Sequence, residues 1–260
     1  MKKKIVVITL TLLVFLSTVL LGFATVFRVR EVTLETSVIS QAAESEARDL
    51  QKRLQEAYEN DSMFFVDDES AKRVIAEFPY FRMSSFRKDY PNRVILEIEE
   101  DEEVYAVESP TETQTSYYVL SANGTVLAYR TDYNNRLDGE PNLLIKGLQV
   151  SGKKGQLLQG EIFSTVLTFC SYMSEQLGGL RDNLLEIEVS KYAPEYRITM
   201  REGVKIYVGS PTEMTKEKAQ EAAKKYQGLA DDEKLMGRIA VDSVGGQLLI
   251  SYDRKDFTID

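Results

Sequence analysis

Uncharged residues run unbroken from Ile5 to Phe27, behind Met1-Lys2-Lys3-Lys4; beyond them the chain alternates short apolar stripes with charged positions. As a helix rising about 1.5 Å per residue, the run reaches roughly 34 Å, enough to cross a hydrocarbon core of about 30 Å. It contains no Asp, Glu, Lys, Arg or Pro. Its polar interruptions are Thr9, Thr11, Ser17, Thr18 and Thr25, whose hydroxyls can bond back to helix carbonyls. No second run of this kind occurs, which predicts a cytoplasmic tail over 1–4, a transmembrane helix over 5–27 and one large region beyond the membrane. Lys2, Lys3 and Lys4 hold the N-terminus in the cytoplasm, with Arg28 and Arg30 a weaker opposing pair. A cleaved signal peptide is the rival, and Gly22-Phe23-Ala24 offers small residues for cleavage. The run, however, exceeds the roughly 7–15 apolar residues of a signal core.

After the span, Val29, Val32 and Leu34 among polar neighbours predict a strand over 28–35. From Ser40 to Tyr58, Ala43, Ala47, Leu50, Leu54, Ala57 and Tyr58 recur at helical steps and predict one amphipathic helix. Asp67 or Asp68 can cap a second helix over 69–77, with Ala71, Val74, Ile75 and Phe78 inward and Pro79 as its stop. Strands over 83–88 and 93–100 follow, joined by Asp89-Tyr90-Pro91-Asn92. The second of them places Val94, Leu96 and Ile98 on one face. The order from 28 to 100 is strand, helix, helix, strand, strand.

The second half predicts a hairpin, 116–120 and 125–130 around Asn123-Gly124, and a new segment beginning at Pro141. A helix over 160–177 is closed by Gly178-Gly179, and three strands follow over 184–190, 196–201 and 204–208. An Ala/Lys/Glu helix over 215–229 leads to final strands over 238–242 and 247–253. The expected fold class is α+β: a single N-terminal transmembrane helix, a small domain over 28–100, a mixed α/β domain with a mainly antiparallel sheet over 101–253, and a short tail over 254–260.

Composition narrows the chemistry. The formal net charge is −9, and setting aside Lys2, Lys3 and Lys4 leaves −12. That charge opposes nucleic acid and anionic lipid as partners. The one cysteine, Cys170, cannot form an internal disulfide and lies in an apolar run, as a buried structural thiol does. With no histidine in these 260 residues, Ser–His and Cys–His catalysis and His-ligated zinc are excluded within them. No Gly-x-Ser-x-Gly or phosphate-binding Gly-rich loop is present, and the chain is expected not to be an enzyme and to hold no cofactor or metal. The acidic run Glu97, Glu99, Glu100, Asp101, Glu102 and Glu103 lacks the spaced ligands and turn glycine of a calcium loop and reads as a solvated strand end.

Phe78-Pro79-Tyr80, Phe86-Arg87-Lys88 and Tyr90-Pro91-Asn92-Arg93-Val94-Ile95-Leu96-Glu97-Ile98-Glu99-Glu100 resemble the end of a POTRA domain, more specifically that of the bacterial cell-division family FtsQ/DivIB. Ser62-Met63-Phe64-Phe65-Val66-Asp67 resembles that family's link between the POTRA helices. Tyr117–Leu127, Met200–Gly209 and Gly237–Asp242 resemble hairpins and a late strand of its second, β-rich domain. The ordered set behind an N-terminal anchor covers nearly the whole chain. Three features depart from the family: no glycine in Leu34-Glu35-Thr36-Ser37, a very short cytoplasmic tail, and no arginine in Ser243-Val244-Gly245-Gly246.

The resemblance implies a non-enzymatic divisome scaffold at the septum. Its partners would be the one-pass coiled-coil proteins FtsL and FtsB (DivIC), and it would help control septal peptidoglycan synthesis by FtsW and its transpeptidase. In the family the partner pairs with a sheet edge near the C-terminus, which falls here on Gln247, Leu248, Leu249, Ile250, Ser251 and Tyr252. An edge strand offers unpaired backbone groups to an incoming strand, and Ile250→Pro is expected to abolish capture with the domain still folded. Tyr80 and Tyr90 are a candidate second docking surface. The wider aromatic group Phe64, Phe65, Phe78, Tyr80 and Phe81 reads as either core or peptide patch. Two other classes remain. One is a membrane-anchored sensor or adhesion module with a pocket for a wall ligand. The other is a carboxylate-pair enzyme using Glu97, Glu99, Glu186 or Glu188.

Overall fold

The computed structural model describes residues 2–38, 40–110, 114–134, 141–190 and 195–255. The first element, α1 (Lys2–Val26), is long and apolar enough to cross a membrane, and its Thr9–Val26 stretch is exposed throughout. Three of its hydroxyls bond back as the sequence predicts: Ser17 and Thr18 donate to the Val14 carbonyl at 2.8 and 2.9 Å, and Thr25 to Gly22 at 2.9 Å. The chain divides into two compact units at Glu100/Asp101, with residues 40 and 41 clustering with the second. The fold is α+β, with one N-terminal apolar helix and a large mixed sheet.

The first unit adds β1 (Glu31–Glu35), α2 (Gln41–Tyr58), α3 (Glu69–Ile75), β2 (Phe81–Asp89) and β3 (Arg93–Glu100). Its sheet runs β1-β3-β2, with β1 parallel and β2 antiparallel to the central β3. From α2, Ala43, Leu50, Leu54 and Tyr58 are buried, whereas Ala57 is exposed and lies off the stripe. The edge of β1 is closed by α2 side chains. Val32 donates its N–H to Gln55 Oε1 at 2.9 Å, while Gln51 Nε2 donates to the Val32 carbonyl. These amides supply the partners a neighbouring strand would otherwise provide. Tyr58 links the two helices: its hydroxyl donates to the Asp67 carbonyl at 2.6 Å and accepts from the Ala71 N–H at 2.9 Å. Burial pushes that hydroxyl up to about 12. Asp68 stands at the cap position of α3, but its carboxylate pairs with Lys72 at 2.8 Å; it is Asp67 that accepts the Glu69 N–H, at 3.2 Å.

The second unit contains β4 (Tyr105–Pro110), β5 (Thr115–Leu120), β6 (Val126–Arg130), β7 (Leu143–Lys146), α4 (Phe163–Leu177), β8 (Leu184–Val189), β9 (Glu195–Met200), β10 (Lys205–Gly209), α5 (Thr215–Gln227), the short α6 (Asp231–Lys234), β11 (Arg238–Val244) and β12 (Gln247–Asp253). Its nine strands form one sheet in the order β12-β11-β10-β9-β8-β7-β4-β5-β6. The β4/β7, β7/β8 and β10/β11 pairs are parallel and the others antiparallel. Neither β4 nor β7 was marked as a strand by the sequence pattern.

α4 contributes Val166, Phe169, Cys170 and Met173 to the main core, and α5 contributes Ala219, Ala222, Ala223 and Tyr226. Cys170 is fully buried, and burial pushes its thiol up to about 12, which keeps it protonated and unreactive. The other sheet face is mixed: Ala106, Val119, Leu127 and Leu144 are buried on its β4–β7 side, and polar pairs lie across β7 to β11. Lys146 Nζ lies 2.7 Å from Glu186 Oε2, Glu188 is ion-paired with Arg197, and the Arg238 guanidinium sits over the Tyr207 ring at 5.4 Å. These cross-strand pairs satisfy alternating charges on neighbouring strands.

The acidic run is not a solvated strand end. Glu103 is completely buried and meets Arg130 in a two-pronged pair, Nη1–Oε1 2.8 Å and Nη2–Oε2 2.6 Å. Asn142 Nδ2 donates to the same carboxylate at 3.1 Å and to the Tyr133 carbonyl at 2.6 Å. Arg181 reaches the Glu103 carbonyl at 3.3 Å and the Glu102 carboxylate at 3.1 Å. The run therefore ends in a buried polar knot joining the approach to β4, the end of β6 and the start of β7.

Candidate partner-binding edge

β11 and β12 form a hairpin in register from Arg238↔Asp253 to Val244↔Gln247. Only Gly245 and Gly246 stand between the strands, with φ of 60° and 78°. Two successive positive φ values make the mirror-image turn whose twist suits a hairpin, and glycine reaches them without steric cost. β12 ends the sheet order, and among the described residues its strand partner is β11 alone. The opposite end of the sheet differs. At the start of β6, Val126 donates its N–H to Gln156 and accepts from the Gly155 N–H, both at 2.8 Å. A loop thus shields part of that edge.

Along β12 the side chains alternate. Ile250 and Tyr252 are half-buried against the core, and the Tyr252 hydroxyl lies 3.2 Å from the carbonyls of Glu233 and Met236. That hydroxyl is held above its ordinary value, by desolvation first and by Glu233 second. Leu248 is half-buried, and Gln247, Leu249 and Ser251 face solvent, Leu249 at 56% exposure. Exposed apolar residues stand at both ends of the strand: Val244 beside the turn, and Leu235 and Met236 at the Tyr252 end. Among the described residues, the edge therefore combines backbone groups that no second strand pairs with apolar side chains, the two features that strand addition uses for affinity and specificity.

Lys218 ties α5 to the end of β10, a link that the sequence reading does not single out. It is fully buried, and its Nζ donates to the Gly209 and Ser210 carbonyls at 2.6 and 2.8 Å. Burial lowers its pKa, opposed by the charges of Asp242 and Glu213. The signal was present: Lys218 occupies the helical face of Ala222 and Tyr226, a position the apolar stripe would give to a hydrophobic residue.

The other candidates separate. Tyr80 is fully buried, so it is a core residue of the first unit and not a docking surface. Its position at the entry to β2 directs it inward with Phe81. Tyr90 is 54% exposed. The aromatic group divides in the same way, with Tyr80 and Phe81 in the core and Phe64 and Phe65 on the surface. Glu97 and Glu99 belong to β3, and Glu99 lies 3.7 Å from Arg82; Glu186 and Glu188 belong to β8, each against a cation. A concavity in the second unit, lined by Gln149, Val150, Ser151, Gln159, Gly160 and Glu161, opens widely to solvent. Residues 256–260, a candidate cover for β12, lie outside the described residues. No family model matches this chain, and no curated protein is similar to it.

Proposed function

We propose that this chain is a single-pass, non-enzymatic scaffold of the cell-division machinery, of the kind the FtsQ/DivIB resemblance implies. Residues 28–100 act as a POTRA domain, and the second unit captures FtsL- and FtsB/DivIC-like one-pass proteins outside the membrane. The N-terminus is cytoplasmic and the protein is enriched at the septum, where it helps control peptidoglycan synthesis. The observation that carries the reading is the edge itself: β12 ends a nine-stranded sheet, pairs with β11 alone among the described residues, and exposes Leu249. The strand–helix–helix–strand–strand order of the first unit, behind a helix long enough to span a membrane, supports it.

Co-purification from membranes tests the proposal, comparing the full chain with one ending at Gly246 and with Leu249→Glu. Ile250 packs against the core, so Leu249 is the better probe of binding than Ile250→Pro. Small one-pass coiled-coil proteins retained by the full chain and lost from both variants support role and site together. Equal recovery with all three moves the site elsewhere, and none with the full chain refutes the role.

A further inference from the structure

The end of α1 is fastened to the first unit rather than hanging from it. The Phe27 carbonyl accepts the Met63 N–H at 2.8 Å, the Val29 N–H donates to the Asp61 carbonyl at 2.8 Å, and Arg28 bridges Ser62 in antiparallel fashion. Phe23, in the last turns of α1, stacks on Phe27 with ring centroids 5.4 Å apart. Phe27 meets Phe64 at 5.0 Å and Tyr90 at 6.3 Å, and Phe64 and Tyr90 lie 6.4 Å apart. Packing does not bury this group: Phe23, Phe64 and Tyr90 are 52–54% exposed, and Phe65 beside them is 86% exposed.

Phe23, Phe27, Phe64 and Tyr90 form a chain of ring contacts, with Phe65 next to Phe64 in the sequence, and an exposed aromatic patch of this kind marks an interaction surface. The patch is continuous with the membrane-spanning surface of α1 and begins where that surface ends. That is the level at which aromatic rings settle between acyl chains and headgroups. From these positions we infer that Phe27, Phe64, Phe65 and Tyr90 form a collar that seats the first unit in the bilayer interface from which α1 emerges. The occupant is the lipid surface itself. With a net acidic chain, attachment is through the rings and not through attraction to anionic headgroups. The collar fixes the tilt of the first unit relative to the membrane, where one helix alone would leave it free to swing. The inference rests on α1 spanning the membrane.

The chain has no tryptophan, so a single introduced one reports its own surroundings. Phe65→Trp places it on the collar. Arg82→Trp is the control, at the other end of β2 and about 26 Å along the strand from Tyr90, with only an exposed pair to Glu99 disturbed. Each full chain is reconstituted into phosphatidylcholine vesicles carrying shallow-brominated lipid and floated on a density gradient. The expected result is flotation of both, with blue-shifted, strongly quenched emission from Phe65→Trp, unchanged by high salt, and unquenched emission from Arg82→Trp. Flotation without quenching at position 65, or with equal quenching at both positions, overturns the collar and leaves the anchor standing. Failure to float overturns the anchor, and the collar with it.

Discussion

Replacing Glu103 by Ala removes the centre of the buried knot in the second unit. Two charge-assisted hydrogen bonds from Arg130 and one from Asn142 are lost. Removing one partner of a buried ion pair costs about 3–5 kcal/mol, because the remaining charge loses its buried counter-charge. Here the Arg130 side chain keeps 18% exposure and can draw in water, so the lower end applies, about 3 kcal/mol. At about 1.4 kcal/mol per tenfold change in an equilibrium constant, opening of this part of the sheet becomes roughly a hundredfold more frequent. Hydrogen exchange of peptides covering β4 and β7, in the full chain in detergent, reads that opening in this unit alone. Arg130→Met on its own costs a similar amount. The double variant Glu103→Ala with Arg130→Met removes both charges and loses about 4 kcal/mol, against about 6 kcal/mol for the two single losses added, a coupling of about 2 kcal/mol. If Glu103→Ala changes β4 and β7 exchange less than threefold, or the double variant loses the sum of the two single losses, the knot is not what holds these strands together.

Tyr196 is fully buried, and among the described residues its hydroxyl has no hydrogen-bond partner; Tyr196→Phe therefore leaves thermal stability unchanged or raises it by about 1 kcal/mol, and a lowered melting temperature would show a partner exists. The Tyr58 hydroxyl is raised from 10.0 to about 12 in the folded chain. Its contribution is thus complete below pH 10 and lost as pH climbs toward 12. Tyr58→Phe should lower stability by about 1–2 kcal/mol at neutral pH, through its two lost hydrogen bonds, and flatten the first unit's alkaline decline in a pH series of urea melts. Lys218→Met leaves the Gly209 and Ser210 carbonyls without their Nζ donor, at a cost of about 2–3 kcal/mol in urea unfolding of the second unit; a cost below about 0.5 kcal/mol would mean water replaces the ammonium.

What the sequence disclosed and what it hid follow from the range of the interactions. The stripe of α2 and the Asn123-Gly124 turn are local patterns, and both are found in place: Gly124 donates its N–H to the Ser121 carbonyl at 2.9 Å. The last strand was legible because Leu248, Ile250 and Tyr252 alternate with polar or exposed positions. β7 was missed because Leu143, Leu144 and Ile145 are all buried; a central strand covered on both faces shows no alternation. β4 was hidden likewise, its Tyr105-Ala106-Val107 following an acidic run. Glu103 meets Arg130 and Asn142 across 27 and 39 residues, beyond any local pattern. The aromatics from Phe64 to Phe81 are alike in composition. Position decides their fates: Phe64 and Phe65 lie in the loop tied to the end of α1, Tyr80 and Phe81 at the entry to β2.

The outer edge of β12, which pairs with β11 alone among the described residues, is proposed to receive a one-pass coiled-coil partner. The most direct measurement is photocrosslinking in growing cells from a probe at position 249, with a second probe at the exposed Tyr129 on β6, the opposite edge of the sheet. A single adduct with an FtsB/DivIC-like protein is expected from position 249 and none from 129. No such adduct from 249, or the same adduct from both positions, would contradict it.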